Sequence, residues 1–197
     1  MSRDQIFANI RRGLKRGEAD QQTRDQALAR ITAKKPNLIP ARAQLPRAEQ
    51  IELFREMATT AAAEIIDIDD LDTLPVAVNT WLKHHQIDHL VRSTVAEFEA
   101  MDWSKAENLS IETRVAQAGD QVSLTDCFSA IAETGTLMLH SKAESPTTLN
   151  FLPDIHLVLL RSSQIVGVYE EAWSKLRESR GDNWPRSVNM ITGPSRS

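Results

Sequence analysis

At 197 residues, 41% hydrophobic and 25% charged, the chain suits one globular domain with an appended arm. No apolar run approaches the ~20 residues that cross a bilayer, and the charged start Met-Ser-Arg-Asp-Gln lacks an apolar signal core, so membrane insertion is excluded and a cytoplasmic protein is expected. The formal charge of −4 divides into +7 over residues 1–48 (11 Lys and Arg, 4 Asp and Glu) and −11 beyond (12 against 23); with Phe7 the one aromatic of the basic part and no Gly-rich or zinc motif there, a docking arm is expected and no nucleic acid.

The arm opens with a helix. Ser2 and Gln5 fit a capping box, and Ile6, Ile10 and Leu14 form a stripe at four-residue spacing. A second helix is predicted over residues 21–34, with Ala27, Leu28 and Ile31 on one side. The apolar face of this pair is too thin for it to stand alone. Pro36, Pro40 and Pro46 then read as an extended linker, since proline lacks a backbone donor and biases its predecessor away from helix. The expected division is therefore a basic helical arm with a Pro-rich linker over residues 1–45 and an α/β domain over 46–197.

Within the domain, helices are predicted over residues 47–63, 71–85 (with Pro75 in the first turn) and 166–179. Strands are predicted over residues 64–68, 89–91, 121–124, 136–139, 155–160 and 188–192, with a turn of helix near 128–132. Short apolar strands alternating with amphipathic helices argue for an α/β fold with a mainly parallel, covered sheet.

The polar residues able to do chemistry gather beside strands. In the segment from Ser123 to Leu137, a short apolar helix is expected to end in Glu133-Thr134-Gly135-Thr136 and enter a strand. Gly135 permits a tight turn, the hydroxyls of Thr125, Thr134 and Thr136 can donate to an anion, and Glu133 can serve as base, nucleophile or ligand anchor. His156 falls inside an apolar strand, either as a buried structural imidazole or as a group aimed at the site. Thr192-Gly193-Pro194-Ser195-Arg196 is a strand-end loop suited to a phosphate or carboxylate.

Other clusters have plainer readings. Cys127, the one cysteine, sits among Leu124, Phe128 and Ile131 and reads as an inert core residue rather than a nucleophile. His84, His85 and His89 read as a polar helix end, because His89 enters a strand and no third ligand falls at metal spacing. Asp67, Asp69, Asp70 and Asp72 read as a strand exit and the acids of a helix start.

The run Ala130-Ile131-Ala132-Glu133-Thr134-Gly135-Thr136, then Leu152-Pro153 with His156, then Thr192-Gly193-Pro194-Ser195-Arg196, resembles the successive motifs of the LUD-domain family. The resemblance covers residues 122–197 with distinctive motifs and the earlier half in layout only. It implies a three-layer α/β/α fold like that of the NagB, ribose-phosphate isomerase and CoA-transferase group. It also implies a place in the system that oxidises L-lactate to pyruvate, beside two iron–sulfur partner proteins. No cofactor is expected in this chain, since an iron–sulfur cluster needs about four thiolates, and the clusters are expected in those partners.

Three roles stay open. The chain is a subunit or accessory protein binding a small carboxylate or phosphate, an independent acyl- or phosphate-substrate enzyme using Glu133, or a non-catalytic module docking through its arm. CoA-transferases of the fold group use the glutamate of a Glu-Asn-Gly motif to form an acyl intermediate; Glu133-Thr134-Gly135 replaces Asn with Thr, and fold analogy does not transfer chemistry. The family's final loop continues through a helix start into another strand. Ending at Ser197, the sequence is expected to lack that strand, which would leave an anion pocket there incomplete.

Overall fold

The structure, a computed structural model, describes residues 2–181 and 183–194. It divides into two compact units, Met1–Leu38 and Ile39–Ser197. The first holds α1 (Arg3–Gly13) and α2 (Gln21–Ala33). The predicted capping box forms: the Ser2 hydroxyl accepts from the Gln5 backbone at 3.3 Å and the Gln5 side chain accepts from the Ser2 backbone at 2.9 Å. Asp20 caps α2 by accepting from the Thr23 backbone N–H at 2.8 Å. Neither helix has a buried residue, so caps and local pairs supply its order.

The second unit runs α3 (Arg47–Thr60), α4 (Leu74–His84), β1 (His89–Arg92), α5 (Ala96–Glu99), β2 (Ser110–Glu112), β3 (Val122–Asp126), β4 (Ser129–Ile131), β5 (Thr136–His140), β6 (Ile155–Leu159), β7 (Ile165–Val166), α6 (Tyr169–Arg180) and β8 (Val188–Ile191). Four strands make the expected parallel sheet, in the order β2-β1-β3-β6. Leu90, Val122 and Leu124 meet Leu74, Val78 and Leu82 of α4 and the ring of Phe98 in one apolar cluster. Truncating the fully buried Leu82 there would cost about 2–5 kcal/mol.

A second sheet, β7-β4-β5-β8, is mixed: β4 and β5 form an antiparallel hairpin, β8 runs antiparallel to β5, and β7 runs parallel to β4. It continues the first sheet around a bend. Cys127 N–H donates to the Leu159 carbonyl at 3.0 Å, and the Gln164 side-chain amide donates to the Cys127 carbonyl at 2.5 Å, so the β3–β4 and β6–β7 chains stay side by side through the turn. Alternation along β4 then makes three layers. Ala130 and Ala132 face Phe54 and Ala58 of α3, while Ile131 faces Ala172 of α6.

Two local expectations are corrected. Residues 64–68 form no strand: Ile65 packs toward α3 and Ile68 toward the α4 cluster, so the segment bridges two cores. The predicted helical turn near 128–132 is instead strand β4. Its small residues have no intrinsic need to be extended, but hydrogen-bonded neighbours on both edges impose it.

Candidate functional site

Because β4 is a strand, Glu133-Thr134-Gly135 lies in the turn of a β-hairpin and not at a helix end. Gly135 has φ +65°, and a Cβ there would lie 2.4 Å from the Ala58 nitrogen in α3. Gly193 repeats the device at the end of β8, with φ +66° and a Cβ position 2.1 Å from the Ala61 carbonyl oxygen. Both glycines therefore admit the carboxyl end of α3, and no larger residue fits either place without moving backbone.

That close approach brings the selected threonines together. The hydroxyls of Thr134 and Thr136 lie 2.7 Å apart, and that of Thr136 lies 2.5 Å from that of Thr192. The Tyr169 hydroxyl at the start of α6 joins them, 3.1 Å from Thr134 Oγ1 and 2.9 Å from Thr136 Oγ1. Thr136 is fully buried. The short contacts among these hydroxyls tie hairpin, helix start and strand end into one clasp. Sequence reasoning placed Tyr169 only as a helix residue; no local pattern reveals that the fold brings its ring end to this corner.

Glu133 is buried and does not join the hydroxyls. Its Oε1 accepts from Arg42 Nη2 at 2.9 Å and Nε at 3.2 Å, and its backbone N–H donates to the Gly167 carbonyl at 3.0 Å. Arg42 sits in the 3-10 turn Ala41–Ala43 of the Pro-rich segment, which sequence reasoning treated as linker. The Ala43 carbonyl oxygen lies where a Cβ on Gly167 would stand, at 2.4 Å. The acid at the corner thus carries a counter-ion from the strap that crosses it.

Thr125 and His156 meet in the first sheet, on neighbouring strands β3 and β6. Thr125 Oγ1 and His156 Nε2 are 2.7 Å apart, with donor and acceptor set by the imidazole tautomer. Burial pushes the His156 pKa down to about 4, so the ring is neutral at pH 7. Cys127 is buried, and burial pushes its thiol up to about 12, which leaves no thiolate for nucleophilic work. Ser195 and Arg196 lie outside the described residues. An open depression lined by Glu52, Arg55, Glu56 and Glu64 runs along α3; it contains none of the sequence-selected residues.

Comparison with known proteins agrees with this architecture. Residues 51–197 match the family described as the LUD domain. A "Lactate utilization protein C" from Geobacillus thermodenitrificans is 33% identical over 46% of this chain and 39% of its own length. A protein of the same name from Macrococcus caseolyticus is 29% identical over 50% of this chain and 43% of its own, and the "Uncharacterized protein YkgG" of Escherichia coli is 30% identical over the same two shares. The chain thus spans about two-fifths of the length of these relatives. A crystal structure of a DUF162 family protein from Deinococcus radiodurans superposes with a TM-score of 0.60 at 22% identity, covering 76% of this chain and 90% of that one, a likeness of fold.

Proposed function

Since the chain belongs to the LUD-domain family, we propose that it is a component of an L-lactate utilisation system. In this reading it is a cytoplasmic subunit or accessory protein that binds a small anionic ligand while two iron–sulfur partner proteins carry the electrons. The observation that supports it is the match of residues 51–197 to the family, together with relatives named for lactate utilisation. With a single cysteine, this chain cannot supply the roughly four thiolates of a cluster, so electron carriers fall to the partners. No helix among the described residues is long and apolar enough to cross a membrane.

The geometry favours an organising role for the Glu133–Thr136 corner over a covalent one. A nucleophilic carboxylate must reach its substrate, and Glu133 is buried beneath Arg42. An acyl-transfer reaction would need the strap carrying Arg42 to withdraw, and would leave a hydroxylamine-trappable adduct that Glu133→Gln abolishes. The experiment for the main reading is expression with the neighbouring gene products and an assay of lactate-dependent dye reduction, with and without this protein. The reading expects the rate to fall about tenfold or more when it is omitted; an equal rate would refute it.

A further inference from the structure

The arm leaves an apolar face without cover. Along α1 and its C-cap, Ile6, Ile10 and Leu14 recur at four-residue spacing with Phe7 beside them, and these side chains are 43–61% exposed. That spacing puts them on one side of the helix. The remaining surface is basic: Arg11 and Arg12 lie in the last turn, and Lys15 and Arg16 follow. The exposed pair of Arg11 with Glu18, at 3.4 Å, offsets little of this charge. A helix of 11 residues with no buried residue is too short to be held in water by its own propensity. Its order has to come from what covers the stripe.

The α/β domain carries a surface of the opposite kind. Two open depressions run along α3 and share Glu52 and Glu56 in their walls, which makes them one groove. Glu49, Glu52 and Glu56 fall at i, i+3 and i+7, on one side of the helix, and Glu64 adds a fourth carboxylate. Between them the lining is apolar, with Leu53 and Ile65 half-buried. Arg55 is the one cation among the described lining residues, and Asp67 accepts from it at 2.6 and 2.9 Å. The groove is therefore acidic at its rim and apolar within.

Each surface has what the other lacks. Amphipathic helices that lie in grooves use anchors at i, i+3, i+4 and i+7, and Phe7, Ile10 and Leu14 have that spacing. Apolar side chains on the groove floor leave water, while the flanking guanidinium and ammonium groups face carboxylates at the rim. Such charge complementarity sets the orientation of docking and suppresses wrong partners. A basic amphipathic helix taken alone also suits an anionic lipid surface. The acidic groove does not suit one, and a basic helix laid in it satisfies both surfaces together.

We propose that α1 of one copy of this chain docks, apolar side inward, in the α3 groove of a second copy, and that the exchange is reciprocal. Two identical contacts related by a two-fold axis close on themselves, which gives a dimer and not a filament. The exchange gives the basic arm a target and covers the exposed stripe Ile6, Phe7, Ile10 and Leu14. It rests on the two surfaces alone and is independent of the lactate-utilisation reading.

The test is sedimentation velocity of the full chain and of variants with reversed charge. The wild type is expected to form a dimer that dissociates on dilution and weakens as salt rises, since exposed charges are screened beyond about 10 Å at 0.1 M. Arg11→Glu with Arg12→Glu, or Glu52→Lys with Glu56→Lys, should each weaken dimerisation about tenfold or more, because like charges then face each other. All four positions are exposed, so these variants keep the fold. Ile10→Ser should also weaken the dimer while changing no charge. Mixing the two charge-reversed variants in equal amounts should restore it, because every arm then meets a groove of opposite sign. A wild type that stays monomeric at all concentrations, or a dimer that neither reversal weakens, would overturn the proposal. So would a mixture that remains monomeric, the result expected if an arm bound only within its own chain.

Discussion

In the second sheet, Thr134, Thr136, Tyr169 and Thr192 engage their hydroxyls with one another at 2.5–3.1 Å, and Glu133 is matched by Arg42. In the first sheet, a bend away along the same chain, Arg92 Nε, Ser93 Oγ and Asp126 Oδ1 end without partners at the strand termini. The described motif residues of this corner are thus ones to which the fold already gives partners. A hydroxyl that bonds its neighbour at 2.5 Å has little left for a ligand. An enclosed N–H with no acceptor carries a desolvation cost of about 1–3 kcal/mol that a ligand can relieve. Motif residues act here as a clasp.

The largest expected effect would break the clasp. Gly135→Ala adds a Cβ 2.4 Å from the Ala58 nitrogen at a φ of +65°; left-handed strain and overpacking against backbone together should cost about 3–5 kcal/mol in chemical denaturation. A loss under about 1 kcal/mol would mean that α3 is not seated on the hairpin as described.

Acid should weaken the first sheet next. His156 has its pKa lowered to about 4 by burial, from 6.5. Between those values the unfolded chain binds a proton that the folded chain refuses, so stability is full above pH 6.5 and falls as pH drops toward 4. The loss is about 3 kcal/mol at most. Denaturation midpoints of the wild type and His156→Gln over pH 4–7 should show the variant with the shallower slope.

Thr136→Val and Ser93→Ala then set the two regions directly against each other. Thr136→Val removes the fully buried hydroxyl that touches Thr134, Tyr169 and Thr192, and should cost about 1–3 kcal/mol by breaking those hydrogen bonds. Ser93→Ala removes a hydroxyl that bonds nothing in the unliganded protein, and should change stability by about 1 kcal/mol or less, in the stabilising direction. Equal losses in thermal melts would erase the distinction between a matched hydroxyl and an unmatched one.

Much of the fold was readable from the chain. His89-Leu90-Val91, Thr136 to Leu139 and Ile155 to Leu160 are short, mostly apolar runs bounded by polar residues, and each carries a strand. Ser129-Ala130-Ile131 was misread because its extended form comes from hydrogen bonds to β5 and β7, long-range partners that local propensity does not encode. Residues 64–68 hold three isoleucines in five positions and so read as a strand, but the same residues serve a segment that drops Ile65 and Ile68 into two different cores.

The site was legible in part. The sequence picks out Thr134, Thr136 and Thr192, and the fold gathers them; it does not announce that Tyr169 and the α3 terminus complete the corner. Arg42 stayed hidden because a Pro-rich stretch looks like a linker until its one 3-10 turn is seen to cross Glu133. Arg92 is the last residue of β1 and Ser93 follows it; that each buries a polar atom without a partner depends on tertiary packing, which no local pattern supplies.

The clasp is most directly tested by a double-mutant cycle of Thr136→Val and Tyr169→Phe, read by chemical denaturation. The account predicts that the two losses fail to add by about 0.5–3 kcal/mol, as for residues in one hydrogen-bond network. Losses that add to within about 0.3 kcal/mol would contradict it.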